Sequence, residues 1–323
     1  MRGPAVSQVA PLQVTPLLLV DHVGLLFCTL FALAGAVTAV LSSDYIRHHG
    51  DEPEEYFLLL ILATLGACVL ACANHLASLL LGLELMSVSL YALIAYPNKS
   101  ILPLEAASKY LVLSGAASAT LLFGFALLYA ASGTLEFAAM GAALGDTDMG
   151  GALVMVGGGM VFVGLGFKLS VVPFHLWTPD VYDGAPAPIS GYLASVGKAA
   201  VFVALLRLFI DADLFRYSRL VELIGLLAIL SMIAGNLLAL LQTNIKRMLA
   251  YSSIAHAGYI LVGIAAASEV GTFAVSAVLY YMAAYTFSNV LAFGSLILMG
   301  SKGKEAVSYA DLAGAGRRPA GGR

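Results

Sequence analysis

Residues 151–180 read Gly151-Ala-Leu-Val-Met-Val-Gly157-Gly-Gly-Met-Val-Phe-Val-Gly164-Leu-Gly-Phe-Lys168-Leu-Ser-Val-Val-Pro173-Phe-His175-Leu-Trp177-Thr-Pro179-Asp180. The run from 151 to 176 is apolar enough and long enough to cross a bilayer, which takes about 20 residues. It carries a lysine in its interior and a proline five residues later. Proline removes one helical hydrogen bond and clashes with the preceding turn. Carbonyls freed in lipid must find partners, so such a break is tolerated only where protein or water surrounds it. The stretch predicts an interrupted membrane helix, broken between about Lys168 and Pro173, with His175 just beyond. The plainer alternative is a proline kink that serves packing alone.

The rest of the chain fits a membrane setting. Of its 323 residues 60% are hydrophobic and 11% charged, with mean hydropathy +0.93. Soluble domains carry about 25% charged residues. The chain is therefore all-α, a polytopic membrane helix bundle of about nine spans. These are 17–42, 56–73, 75–96, 104–131, 151–176, 186–210, 219–241, 245–267 and 270–299. Short spacers join them, two of them acidic, around Asp51 and Asp146, and residues 1–323 form a single transmembrane domain. The net charge of −3 gives no reason to expect nucleic acid as a partner; the lipid bilayer is one. The N-terminus lacks the ordered regions of a signal peptide, which predicts no cleaved leader.

Lysine and arginine in the loops set orientation. Arg47, Lys99, Lys246, Arg247, Lys302, Lys304, Arg317, Arg318 and Arg323 fall on one side; Arg2, Arg207, Arg216 and Arg219 fall on the other. The first side is expected in the cytoplasm, with residues 300–323 as a cytoplasmic tail. Cys28, Cys68 and Cys72 all lie in apolar runs. Cys68 and Cys72, four apart on one helix face, read as small packing residues rather than a metal pair or disulfide.

Four ionisable residues interrupt the apolar runs: Glu84, Lys109, Lys168 and Lys198. A lysine or aspartate at mid-helix costs roughly 2.5–3.5 kcal/mol on translocon scales, so each has a reason to be there. Desolvation disfavours the charged form of a carboxylate or an amine. A glutamate beside a lysine restores both charges, and a further lysine senses whether that pair is open or closed. Glu84 with Lys168 and Lys198 therefore reads as a proton path, against the alternative of a static bridge fixing helix packing. Lys109 stands about one turn into its span. It can relay protons, or snorkel to the interface with Glu105 at i−4. His256 lies mid-span, either as a relay group or as a packing hydrogen-bonder. Asp180 and Asp183 cap or line the loop after the break. Nothing here resembles a nucleotide loop, a dinucleotide fingerprint or a cluster of cysteine ligands. No cofactor and no metal is expected on this chain, and no catalytic residue in the sense of redox chemistry.

Gly164 to Pro188, the continuation to Lys198, and Gln242-Thr-Asn-Ile-Lys246-Arg247-Met-Leu-Ala-Tyr-Ser-Ser-Ile-Ala-His256 together resemble the antiporter-like membrane subunits of respiratory complex I. Ala73-Asn74-His75-Leu-Ala-Ser-Leu and Asp180-Val-Tyr-Asp-Gly-Ala-Pro-Ala-Pro188 make the chain most similar to the subunit N branch, the bacterial counterpart of mitochondrial subunit 2. The resemblance runs from about residue 15 to about 318. It implies two inverted five-helix repeats, each with a broken helix. Residues 56–210 would form the first, broken near 168–180, and 219–299 part of the second. It matches Glu84 to the family's acid, Lys168 to its lysine partner, Lys198 to the connecting lysine and Lys109 to a further lysine. His256 falls at a polar position of the second repeat.

The resemblance further implies proton translocation in NADH:quinone oxidoreductase, in a bacterial inner membrane. The partners would be other complex I membrane subunits. The whole complex uses NADH, flavin, iron–sulfur clusters and a quinone. Family members have about fourteen spans, so the chain reads as truncated at both ends, with proton access but no exit lysine. Two other readings share these residues: a subunit of a multi-subunit cation/proton antiporter, and a non-pumping structural fragment.

Overall fold

The computed structural model describes residues 11–49, 53–97, 101–145, 151–300 and 305–313. Asp51, Asp146, Arg2, Lys99, Lys302, Lys304, Arg317, Arg318 and Arg323, which entered the reading above, lie outside the described residues, as does the side chain of Arg47.

A small antiparallel hairpin opens the described chain, β1 (Leu12–Thr15) against β2 (Leu18–Val20). It replaces the first residues of the span expected from 17. The helices follow: α1 (His22–His49), α2 (Pro53–Ala71), α3 (Leu76–Ala95), α4 (Ile101–Ser132), α5 (Phe137–Gly145) and α6 (Gly151–Leu169). Next come α7 (Trp177–Gly184), α8 (Ala187–Tyr192), a π-helical turn Leu193–Gly197 and α9 (Lys198–Asp211). The last are α10 (Ser218–Leu240), α11 (Ile245–Val270), α12 (Thr272–Met299) and the short α13 (Tyr309–Leu312). Among the described residues nine helical runs are long and apolar enough to span a membrane, with α8 and α9 counted as one. The chain is a multi-pass, all-α membrane bundle.

Helix ends follow local chemistry. The Asp21 carboxylate accepts the Gly24 amide at 2.7 Å and caps α1. Pro53 opens α2 with Glu54 and Glu55 in its first turn, where a missing amide is harmless and negative charge suits the helix dipole. Asn244 caps α11 by accepting the Arg247 amide at 3.2 Å. Gly271, at φ +60°, ends α11 in a conformation that other residues rarely adopt.

The expected break is present. Helix α6 stops at Leu169, Ser170 turns left-handed at φ 62°, and Val172–Pro173 is a cis peptide. The freed groups face protein. Val172 N–H donates to Ser231 Oγ at 2.9 Å, and the Trp177 indole donates to the Phe167 carbonyl at 3.0 Å. The interruption runs further than expected from sequence, because Ala185-Pro186 makes a second break between α7 and α8.

The run from α8 to α9 is almost wholly buried and forms the axis of the bundle. Helices α2, α6, α11 and α12 pack on this axis, on α7, or on one another. Close approach depends on small residues. A Cβ on Gly66 would stand 2.6 Å from the Met86 amide of α3, and one on Gly235 2.5 Å from the Ala255 amide of α11. Membrane helices associate by this kind of backbone approach, since lipid offers no hydrophobic drive between them. Large apolar side chains such as Val112, Phe123, Leu240 and Tyr280 remain exposed, as a lipid-facing surface requires.

Residues 305–313 do not hang free as part of a tail. Ile245 N–H donates to the Val307 carbonyl at 2.8 Å, and Asn244 pairs with Ser308 as an isolated bridge.

Candidate functional site

Of the three buried lysines among the described residues, Lys168 and Lys198 lie in the candidate path, while Lys246 pairs with Glu305. Lys168, in the last turn of α6, is 5% exposed, and Lys198, just after the π-helical turn, is 2% exposed. π-Helical turns in membrane and soluble helices alike are frequent at functional positions.

The Lys168 ammonium donates to Ser87 Oγ at 2.6 Å and to Ser114 Oγ at 2.5 Å. It also stands 5.9 Å from the Tyr110 ring centroid, within cation–π range. Ser114 also receives the Tyr91 hydroxyl at 2.5 Å. Glu84, half-buried on α3, is not in ion-pair contact with Lys168; its carboxylate accepts the Ser118 hydroxyl at 2.5 Å. Ser114 and Ser118 are one turn apart on α4, and Ser87 is three residues after Glu84 on α3. The serines therefore stand between acid and lysine. The sequence reading expects Glu84 and Lys168 within ion-pair reach or one water apart; among the described residues they form no direct ion pair, and hydroxyls of α4 bond to each of them. Tyr110 stacks on Trp177 at 4.5 Å, and Trp177 on Phe167 at 5.3 Å, which locks the end of α6 beside α7.

Lys198 bonds to α11 rather than to α3 or α4. It donates to Ser253 Oγ at 2.8 Å and to the Ser253 carbonyl at 3.2 Å, on α11. The Tyr182 ring lies 6.0 Å from its ammonium. One turn beyond Ser253, His256 Nδ1 meets the Tyr281 hydroxyl at 2.6 Å, amid the rings of Tyr259 and Tyr285. Between the two lysines the short helix α7 carries Thr178 and Tyr182. Their hydroxyls, with that of Tyr285 and with His175 Nδ1, are buried and, by hydrogen-bond geometry, have no partner among the described residues. His175, 9% exposed, and Pro173 lie in the break itself.

Lys109 is not in the buried row. It sits two turns into α4, with a side chain 43% exposed, between Glu105 at 2.7 Å and Asp180 at 2.9 Å. Asp180 and Asp183 lie within α7 rather than capping a loop. Arg247 reaches Asp180 at 2.8 Å, and Asn244 donates to Asp183 at 2.7 Å. This cluster lines a cavity of about 80 Å³. Burial alone would raise the Asp180 carboxyl, but hydrogen bonds from Arg247 and Lys109 hold it below its ordinary value. At the second break Lys246 donates to the Ala185 carbonyl at 2.6 Å and to Glu305 at 2.8 Å. Glu305 also accepts the Ala187 amide at 2.7 Å, so each side of the break is tied by charge.

Sequence reasoning missed Ser87, Ser114, Ser118, Tyr110, Tyr182, Ser253 and Tyr281. The i, i+4 serines of α4 were a usable signal, but which face met a lysine depended on helix order.

A multi-pass bundle with an interrupted helix and buried intramembrane lysines has the architecture of polytopic membrane subunits with charged groups in their interior. Residues 73–316 match the model of the family described as NADH:quinone oxidoreductase/Mrp antiporter, transmembrane. The chain belongs to that family. It is similar to a chain of respiratory complex I from Thermus thermophilus, at 35% identity and TM-score 0.75, over 92% of this chain and 61% of that one. It is also similar to a chain of an archaeal respiratory membrane complex, the membrane-bound sulfane sulfur reductase. There the identity is 30% and the TM-score 0.81, over 91% and 59% of the two chains. A chain of the Mrp complex from Dietzia sp. DQ12-45-1b shares the fold at 22% identity and TM-score 0.71, over 87% and 51%. The chain thus spans about three-fifths of the first two relatives.

Proposed function

We propose that this chain is a proton-translocating membrane subunit of NADH:quinone oxidoreductase, of the subunit N branch, in a bacterial inner membrane. Protons pass from Glu84 through Ser118 and Ser114 to Lys168, past Thr178 and Tyr182 to Lys198, and through Ser253 toward His256. Oxidation of NADH and reduction of a quinone, with flavin and iron–sulfur clusters, take place in other subunits of the complex, and its other membrane subunits are the partners.

One observation carries the reading. Lys168 and Lys198 are held by hydroxyls, and among the described residues neither forms an ion pair with a carboxylate, unlike the buried Lys246 on Glu305. A hydroxyl both donates and accepts, so the same contacts serve an ammonium or a neutral amine. A static bridge would instead leave each ammonium against a carboxylate. The buried hydroxyls of Thr178, Tyr182 and Tyr285 favour a hydrated path between the lysines, since buried polar groups are satisfied by protein or by ordered water. Access from the Asp180 cluster is consistent with its position on the same helix as Thr178 and Tyr182. The complex I reading is preferred to a cation/proton antiporter because the identity is 35% in the first case and 22% in the second.

The test is Lys168→Ala and Lys198→Ala in the assembled complex. Proton pumping by inverted membrane vesicles should fall while the amount of complex on native gels holds. Normal pumping per assembled copy, with less complex formed, would identify the lysines as packing groups.

A further inference from the structure

The reading of Cys68 and Cys72 as packing residues leaves out Cys28, which the fold brings onto Cys72. Cys28 lies on α1, about 9 Å along the axis from its first residue at 1.5 Å per residue. Cys72 follows the last residue of α2. The two sulfurs are 3.9 Å apart, and both thiols are free. Cys28 Sγ also lies 3.8 Å from the Cys68 carbonyl. Gly24, one turn before Cys28, makes the approach possible. A Cβ there would stand 2.9 Å from Cys72 Sγ, so α1 leaves that site open for the sulfur. The backbone around Cys72 is fixed: its carbonyl accepts Leu19 N–H at 2.9 Å, and Asn74 N–H donates to the Leu17 carbonyl at 3.1 Å. Bonded sulfurs stand about 2.05 Å apart.

We propose that Cys28 and Cys72 are a disulfide-forming pair that staples α1 to the α2–α3 corner. The oxidant is a disulfide-class compound. The Cys28 thiolate attacks its S–S bond and releases one thiol. The Cys72 thiolate then displaces the second thiol from the mixed disulfide and leaves Cys28–Cys72. Two cysteine thiols are oxidised, one external disulfide is reduced to two thiols, and the two protons lost from the cysteines protonate those leaving groups. On the orientation expected from the loop charges, this end of the bundle faces outside the cytoplasm, where disulfides persist. The staple would act on a closing element, since α1 packs against α2, α8 and α12. The proposal does not rest on the proton-relay reading.

The test uses membranes carrying the full chain, treated with oxidised glutathione, then unfolded and labelled with a maleimide polymer. One of the three thiols should still label, and all three after reduction. Cys28→Ser and Cys72→Ser should each retain two reactive thiols after oxidation, and Cys68→Ser none. Non-reducing peptide mapping of the unmodified chain should yield a peptide linking Cys28 to Cys72, whatever the variants do. Three reactive thiols after oxidation, or a linked peptide containing Cys68, would overturn the proposal.

Discussion

Glu84 and Lys168 are neighbours without touching: the acid holds Ser118, the lysine holds Ser114, and these two serines occupy successive turns of α4. A proton crossing from one to the other must use that hydroxyl pair or a water beside it. The arrangement lets the charge on Glu84 influence Lys168 without fixing it in a bridge.

The first prediction follows. Ser114→Ala leaves a buried amine with Ser87 as its remaining hydroxyl, and losing one partner of a buried donor costs about 1–3 kcal/mol. If that interaction is used in transfer, proton flux in vesicles should fall by about tenfold, the factor equivalent to about 1.4 kcal/mol of barrier. Ser114→Thr, which keeps the hydroxyl, should recover most of it. Equal flux in the alanine variant would remove the serine from the path.

Lys198 and Ser253 provide a second. Ser253→Ala removes the side-chain acceptor and leaves the carbonyl at 3.2 Å. Pumping should drop while assembly, read on native gels, is unchanged. A parallel loss of assembled complex would mark Ser253 as a packing residue.

The Asp180 cluster has a pH signature. Its carboxyl is held low, by hydrogen bonds from Arg247 and Lys109 that outweigh burial. A depressed acid contributes stability that is fully present above its unfolded value, about 3.9, and lost as pH falls through the folded one. Asp180→Asn should therefore lower the thermal midpoint in detergent at pH 7, and the difference from the unmodified chain should shrink below about pH 4. A difference that does not change with pH would mean that the carboxylate's charge contributes nothing.

Packing supplies the fourth. Gly235→Ala would place a methyl 2.5 Å from the Ala255 amide, and backbone cannot yield as a flexible side chain does. Helices α10 and α11 must separate, at a cost of about 1–3 kcal/mol typical of overpacking. The thermal midpoint should fall. Gly225→Ala, on the same helix with open space around its Cα, is the control and should leave the midpoint unchanged or raise it slightly, since alanine is the better helix former.

The sequence alone determined that this is a membrane bundle, roughly where nine spans run among the described residues, and that one helix breaks after Lys168; the first span begins at His22 rather than 17 and the fifth ends at Leu169 rather than 176. Those features are local: apolar length sets a span, and Pro173 forbids a continuous helix. It also singled out Glu84, Lys168 and Lys198, because a charge inside an apolar run is visible without any neighbour. Only the tertiary structure decided what each of them touches. Ser87, Ser114 and Ser253 are ordinary small residues until helix order brings them against an amine. Lys109, identical in type to the buried lysines, turned out exposed between Glu105 and Asp180. Cys28 met Cys72 across 44 residues of sequence. Helical periodicity fixes which residues share a face, but the face's partner is set by how the helices pack, and that is a non-local balance of shape among small residues.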